Sequence, residues 1–236
     1  HDADSASAIA MDPETGEVLA MASWPPVDPS DLEDVDGDLL GNMATGYTYE
    51  PGSTFKAFTV AGALEDGKIT PETRFDLPPQ IQVADRTIGE SHERGYVNLS
   101  AKEILAQSSN VGAIKIGQKL GEERFDQWVR RFGFGKKTGV DLPGEEAGQL
   151  LKVEDYSGSS IGNLPIGQGE SVTPIQMASA YAAIANGGVL RPARIVRTVD
   201  GESRPVTRGR RVISRETAAS VRQMLEGVLA PGGTAV

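Results

Sequence analysis

Residues 53–65, Ser-Thr-Phe-Lys-Ala-Phe-Thr-Val-Ala-Gly-Ala-Leu-Glu, constrain the fold more than any other stretch of this chain. A helix drawn through them carries apolar side chains all around, and Asp66-Gly67 stops it. Such a helix has no polar face to give to water, so other elements must cover it on every side. Lys56 is the only charged residue from Ser53 through Leu64. A lysine there either snorkels to the surface or goes under with its ammonium. Burial lowers its pKa toward a range where free amine exists near neutral pH.

The chain has the means to wrap that helix. Its 236 residues are 39% hydrophobic, and a domain of this size can bury roughly 70–75% of its unfolded surface. The absence of Cys excludes a disulfide scaffold, a thiolate metal site and a cysteine nucleophile. Lys plus Arg number 23 against 33 Asp plus Glu, for a net charge of −10. That balance argues against nucleic acid or anionic lipid as a partner. No run approaches the ~20 apolar residues of a membrane-spanning helix.

Local signals divide the rest. Ser7–Met11 and Glu17–Ser23 flank Asp12-Pro13-Glu14-Thr15-Gly16 and predict a β-hairpin. Residues 25–38 are rich in Pro, Asp and Glu; the spacing fails the EF-hand pattern and predicts a solvated acidic loop. Ser100-Ala-Lys-Glu103 is a capping box opening a helix that breaks at Ser108-Ser109-Asn110 and resumes to Leu120. Phe125, Trp128, Val129 and Phe132 mark a third helix, closed by Gly133. Thr173-Pro174-Ile175-Gln176 opens a helix to Ala185, and Ser214 caps a last one over roughly 215–229. Residues 189–199 are strand-like.

The chemistry concentrates in Glu50-Pro51-Gly52-Ser53-Thr54-Phe55-Lys56. A Pro-Gly turn leads into the buried helix with Ser53 and Lys56 at i and i+3, on one face. A serine hydroxyl is a weak nucleophile until a base takes its proton, and a desolvated lysine supplies one. Alone, S-x-x-K also fits an N-cap serine followed by a snorkelling lysine. The flanking Glu-Pro-Gly-Ser-Thr-Phe-Lys string favours the chemical reading.

That string resembles the first signature of class B penicillin-binding proteins, the monofunctional transpeptidases of division and elongation. Ser108-Ser109-Asn110, 55 residues after Ser53, is similar to the family's S-x-N signature. Met11–Met21, the Phe132-Gly133-Phe134-Gly135 stretch with Thr138–Glu145, and Ile166–Pro174 resemble its other segments, so the likeness covers nearly the whole chain. Met43 stands where the family usually has Arg, and Ala57 where Pro is frequent.

The resemblance implies an α/β (α+β) fold, an antiparallel sheet flanked by helices with a helical lobe. It implies one transpeptidase domain over 1–236. Ser53 would be acylated, Lys56 would be its base, Ser108 would relay a proton, and Asn110 would hold Lys56 and the substrate amide. Gly167, Gln168 and Gly169 would line the substrate groove. The expected substrates are peptidoglycan stem peptides and the expected inhibitors β-lactams, with no cofactor and no metal. A division or elongation glycosyltransferase is the expected partner. The expected location is the bacterial cell membrane with the catalytic domain outside the cytoplasm.

The family's third signature, Lys-Thr/Ser-Gly, is spelled by Lys137-Thr138-Gly139. Its position between the second signature and the Gly-Gln-Gly segment is wrong for the catalytic triplet, which is expected a little beyond residue 236. The fold is therefore expected to be truncated before its C-terminal strands, leaving the first hairpin with an exposed edge and the chain weakly active or inactive. Two alternatives stand beside this reading: a β-lactamase or carboxypeptidase relative, and a non-catalytic sensor or scaffold with a vestigial site. A class A β-lactamase needs a glutamate to activate water, and Glu145 and Glu170 both fall in segments that the transpeptidase resemblance explains. His92, the one internal histidine, is expected to face solvent.

Overall fold

In the computed structural model, which describes residues 3–28, 30 and 37–235, the apolar run of the sequence lies at the centre. The chain opens with a hairpin, β1 (Ala6–Met11) and β2 (Val18–Trp24), and a one-turn helix, α1 (Met43–Gly46). A 3₁₀ turn over Gly52–Phe55 then feeds α2 (Lys56–Glu65). Lys56 through Ala63 are all buried, which is the outcome that a helix without a polar stripe requires.

Four short strands follow: β3 (Arg74–Leu77), β4 (Gln80–Val83), β5 (Arg86–Gly89) and β6 (Val97–Ser100). Next come α3 (Ala101–Ala106), α4 (Asn110–Leu120), α5 (Glu122–Arg131), α6 (Ser160–Asn163) and α7 (Pro174–Ala185). The remainder comprises β7 (Val189–Leu190), β8 (Thr198–Val199), β9 (Glu202–Ser203), β10 (Arg210–Arg211) and α8 (Arg215–Glu226).

Helices α4, α5 and α8 pack around α2. On one side Phe55 and Phe58 join Phe125, Phe132 and Phe134, with Phe58 5.0 Å from both Phe132 and Phe134 between ring centroids. On the other, Val60 and Ala63 meet Ile69, Leu77, Leu99, Ile104, Val111 and Met224. A Cβ on Gly62 would come within 2.7 Å of the Trp128 ring, so glycine there lets α5 lie directly on α2. A third cluster, Val140, Ile175 and Ala193, receives Ile9, Met11, Val18 and Met21 from the hairpin.

Among the described residues the strands form five separate two-stranded antiparallel ladders: β1–β2, β3–β6, β4–β5, β7–β10 and β8–β9. Among the described residues β1 pairs only with β2, so its outer edge is open. The predicted caps are where the sequence puts them. Ser100 and Thr173 close complete capping boxes, and Ser214 Oγ accepts from Thr217 N.

Two differences are instructive. The strand-like region 189–199 yields only two two-residue strands, because Pro192 has no N–H to donate to a ladder. Residues 74–100, which periodicity left unassigned, hold four strands of four residues each, too short for alternation to stand out. Most of the acidic run, including Asp31, Glu33, Asp34 and Asp36, lies outside the described residues.

Candidate active site

Ser53 sits on the 3₁₀ turn with its side chain exposed, directly above buried Phe55 and Lys56. The turn is held on several sides. Thr54 Oγ1 donates to Pro51 O at 2.6 Å, and the Tyr181 hydroxyl donates to Thr54 O at 2.6 Å. Gly52 N donates to Gly167 O at 2.9 Å, Gly169 N donates to Glu50 Oε1 at 2.9 Å, and Tyr49 bridges Val172. The segment 167–172 is thus a strap along the nucleophile turn.

Lys56 is 1% exposed. Its Nζ donates to Ser108 O at 2.6 Å, Ser108 Oγ at 3.1 Å and Asn110 Oδ1 at 2.7 Å. Three acceptors match the three N–H donors of an ammonium. Burial pushes the Lys56 pKa down to about 8, and the negative charge of Glu90 opposes the drop. The balance leaves an amine that exchanges its proton near neutral pH, as a general base must. Lys56 does not snorkel. Among the described residues its hydrogen bonds go to the second signature, and none goes to Ser53 Oγ. Loss of one proton from the ammonium would free a lone pair on Nζ.

The second signature owes its shape to the joint between α3 and α4. Ser108 takes a left-handed conformation, φ +55°, which turns both its carbonyl and its hydroxyl toward Lys56. Ser109 is the N-cap of α4, its Oγ accepting from Gly112 N at 2.9 Å. Asn110 opens the helix; its amide accepts from Lys56 and donates from Nδ2 to Gly89 O at 3.0 Å.

The structure therefore gathers Lys56, Ser108 and Asn110 into one hydrogen-bonded cluster beside the turn that carries Ser53. Gly167 is buried against Gly52, while Gln168 and Gly169 are exposed next to it. Lys137-Thr138-Gly139 belongs to a loop braced by Glu145. Thr138 N and Oγ1 donate to Glu145 Oε1 at 2.5 and 2.6 Å, and Gly139 N donates to Oε2 at 3.2 Å. Glu170 is buried with one carboxyl oxygen that has no hydrogen-bond partner among the described residues, and burial together with Glu50 pushes its pKa well above the usual carboxylate range. Glu145 is committed to its loop, where its carboxyl oxygens accept from Thr138 and Gly139. His92 is exposed. One residue of the cluster was not singled out by sequence: Glu90, one acid among several in a polar stretch with no periodic signal.

Residues 6–236 match the penicillin binding protein transpeptidase domain family. Penicillin-binding protein PbpB of Mycobacterium tuberculosis is 41% identical over 233 residues, covering 96% of this chain and 34% of that protein. The probable peptidoglycan D,D-transpeptidase FtsI of Caulobacter vibrioides is 34% identical over 218 residues, covering 92% of this chain and 36% of that protein. Penicillin binding protein 3 from Mycobacterium tuberculosis, solved in complex with aztreonam, superposes with a TM-score of 0.88 at 41% identity, over 94% of this chain and 51% of that one. The same protein has been solved with ampicillin. The chain spans about a third of the length of these curated relatives and about half of the solved structure. From the two signatures in sequence, their union around Lys56 and these similarities, the chain belongs to the transpeptidase domain family of class B penicillin-binding proteins.

Proposed function

We propose that these residues carry the acyl-transfer site of a peptidoglycan D,D-transpeptidase, with Ser53 as nucleophile. The observation that carries the reading is the buried Lys56 amine, within hydrogen-bond reach of both Ser108 and Asn110 and one turn from Ser53. Ser53 Oγ attacks the carbonyl carbon of the penultimate D-Ala of a stem peptide while its proton passes to Lys56 Nζ. The C–N bond to the terminal D-Ala breaks, and the departing amine takes that proton through Ser108 Oγ. The amine of a neighbouring stem peptide then attacks the Ser53 ester; its proton returns to Ser53 Oγ as the C–O bond breaks, leaving a cross-link.

Asn110 holds Lys56 and the substrate amide, and Gly167, Gln168 and Gly169 line the groove. A β-lactam is opened by the same attack, but its amine stays tethered, so the acyl-enzyme persists. Aztreonam and ampicillin in the related mycobacterial structures support β-lactams as ligands. The name of the Caulobacter relative supports peptidoglycan as the substrate class; on that reading the domain works on the outer face of the bacterial cell membrane beside a division or elongation glycosyltransferase. No helix among the described residues is long and apolar enough to cross a membrane.

The test is covalent labelling of the full-length gene product containing these residues with a fluorescent penicillin, read by intact mass and peptide mapping. The expected result is one slowly released adduct on Ser53 that Ser53→Ala abolishes. Rapid release of hydrolysed penicillin would instead establish the hydrolase alternative. No adduct at Ser53 would leave the non-catalytic one.

A further inference from the structure

Glu90 stands one residue past the end of β5, and its side chain is only 7% exposed. Its carboxylate receives four donors. Arg94 pairs with Oε1, Ser109 Oγ donates to Oε1 at 2.7 Å, Asn110 N to Oε2 at 2.7 Å, and Val111 N to Oε1 at 3.1 Å. Two of these donors are N–H groups of the first turn of α4, which have no partner within their own helix. A carboxylate from a separate strand therefore caps α4, where the helix dipole favours negative charge. Ser109, gripped by Glu90, caps the same turn through Gly112 N.

The grip reaches Lys56 through Asn110. The carbonyl of Gly89, the residue before Glu90, accepts from Asn110 Nδ2. A carbonyl only accepts, so this contact assigns the amide's donor end, and Oδ1 must face Lys56 Nζ. The β5 end thus fixes both the backbone and the amide orientation of Asn110. Charged groups on the segments around Lys56 include Glu50 and Glu65 at the two ends of the α2 segment, Glu90 with its partner Arg94, and Lys115 on α4. Of these, Glu90 exerts a resolved field on the ammonium; Lys115 is turned away to Asp76 O.

We propose that Glu90 is a positioning residue of the acyl-transfer site: from the end of β5 it caps α4 and so sets Ser108 and Asn110 against the Lys56 amine. The proposal rests on the assignment of Ser53 as nucleophile and Lys56 as base. Glu90→Gln keeps the size but removes the charge and turns an NH₂ toward groups that are themselves donors.

The experiment measures the acylation rate constant of the full-length gene product with a fluorescent penicillin from pH 6 to 10, with thermal unfolding alongside, for wild type, Glu90→Gln and Glu90→Asp. Glu90→Gln is expected to slow acylation by about tenfold or more, as small misplacements of catalytic groups do, and to move the acid limb to lower pH. Glu90→Asp keeps the charge on a shorter arm, so it slows acylation while its midpoint stays at the wild-type value. If Glu90→Gln does not fold, Glu90→Asp alone carries the test, and a wild-type rate for it overturns the proposal. A Glu90→Gln profile of wild-type rate and midpoint overturns it, as does a rate loss that tracks lost stability with the midpoint unmoved. Absence of wild-type labelling at Ser53 would overturn the acyl-serine reading itself, a distinct outcome.

Discussion

Substituting Gly167 by Ala should slow acylation about 10²-fold in addition to weakening the fold. Gly167 has φ +76°, and a Cβ built on it would lie 2.3 Å from Gly52 O, 2.7 Å from Gly52 N and 2.8 Å from Phe55 Cβ. An L side chain in the left-handed region costs roughly 1–2 kcal/mol, and overpacking adds roughly 1–3 kcal/mol. For a chain of this length a loss of about 2–5 kcal/mol lowers Tm by roughly 4–20 °C. Contacts between such atoms normally sit at about 3.5 Å, so the strap and the nucleophile turn must part by about 1 Å. Gly52 is the residue before Ser53, and a 1 Å misplacement costs about 10²-fold in rate. Gly139→Ala is the control: its φ is +84° but a Cβ there meets nothing within 4 Å, so it carries the backbone penalty alone. Acylation by a fluorescent penicillin, measured with thermal unfolding, should show Gly167→Ala about 10²-fold slow and Gly139→Ala at the wild-type rate with a smaller Tm loss. Equal acylation rates in the two variants would refute the argument that the strap positions Ser53.

Four other outcomes follow. With a Lys56 pKa of about 8, about one molecule in eleven carries the free amine at pH 7 and about ten in eleven at pH 9, so the acylation rate constant should rise about tenfold over that interval, and a flat profile would contradict a lysine base. The folded pKa lies below the ordinary lysine value of 10.5, so the folded chain binds fewer protons between the two and Lys56's contribution to stability rises with pH through that window. Glu170 titrates above its unfolded value, so stability falls as pH rises from about 4.5 toward its folded pKa. Glu170→Leu removes an unsatisfied buried carboxyl and should stabilise the chain by about 1–3 kcal/mol at pH 8 while flattening that dependence, as denaturant melts at several pH values would show. Lys137→Ala should leave β-lactam acylation unchanged, because the Lys137–Gly139 loop is braced by Glu145; a loss of labelling would assign that loop to the cleft.

The helices were legible where their ends are chemical. Ser100, Thr173 and Ser214 announce caps, and the apolar girth of 56–63 announces a central helix. The four strands between Arg74 and Ser100 were not, because four-residue strands pair by tertiary context rather than by a long periodic signal. Ser53, Lys56, Ser108 and Asn110 could be named from two short strings. Their convergence could not be seen, because it depends on the left-handed Ser108 and on the packing of α4 against α2.

By itself, then, the sequence determined that a lysine would sit on a helix with no polar face, one turn from a serine at a Pro-Gly entry. Local composition and spacing suffice for that. Only the tertiary structure decided the state of that lysine. Its three acceptors from the α3–α4 joint and the opposing charge of Glu90 come from residues at least 34 positions away in the chain, and its burial is completed by the later helices packed around α2. Dielectric, hydrogen-bond geometry and field are properties of the packed interior, and no local stretch of sequence encodes them.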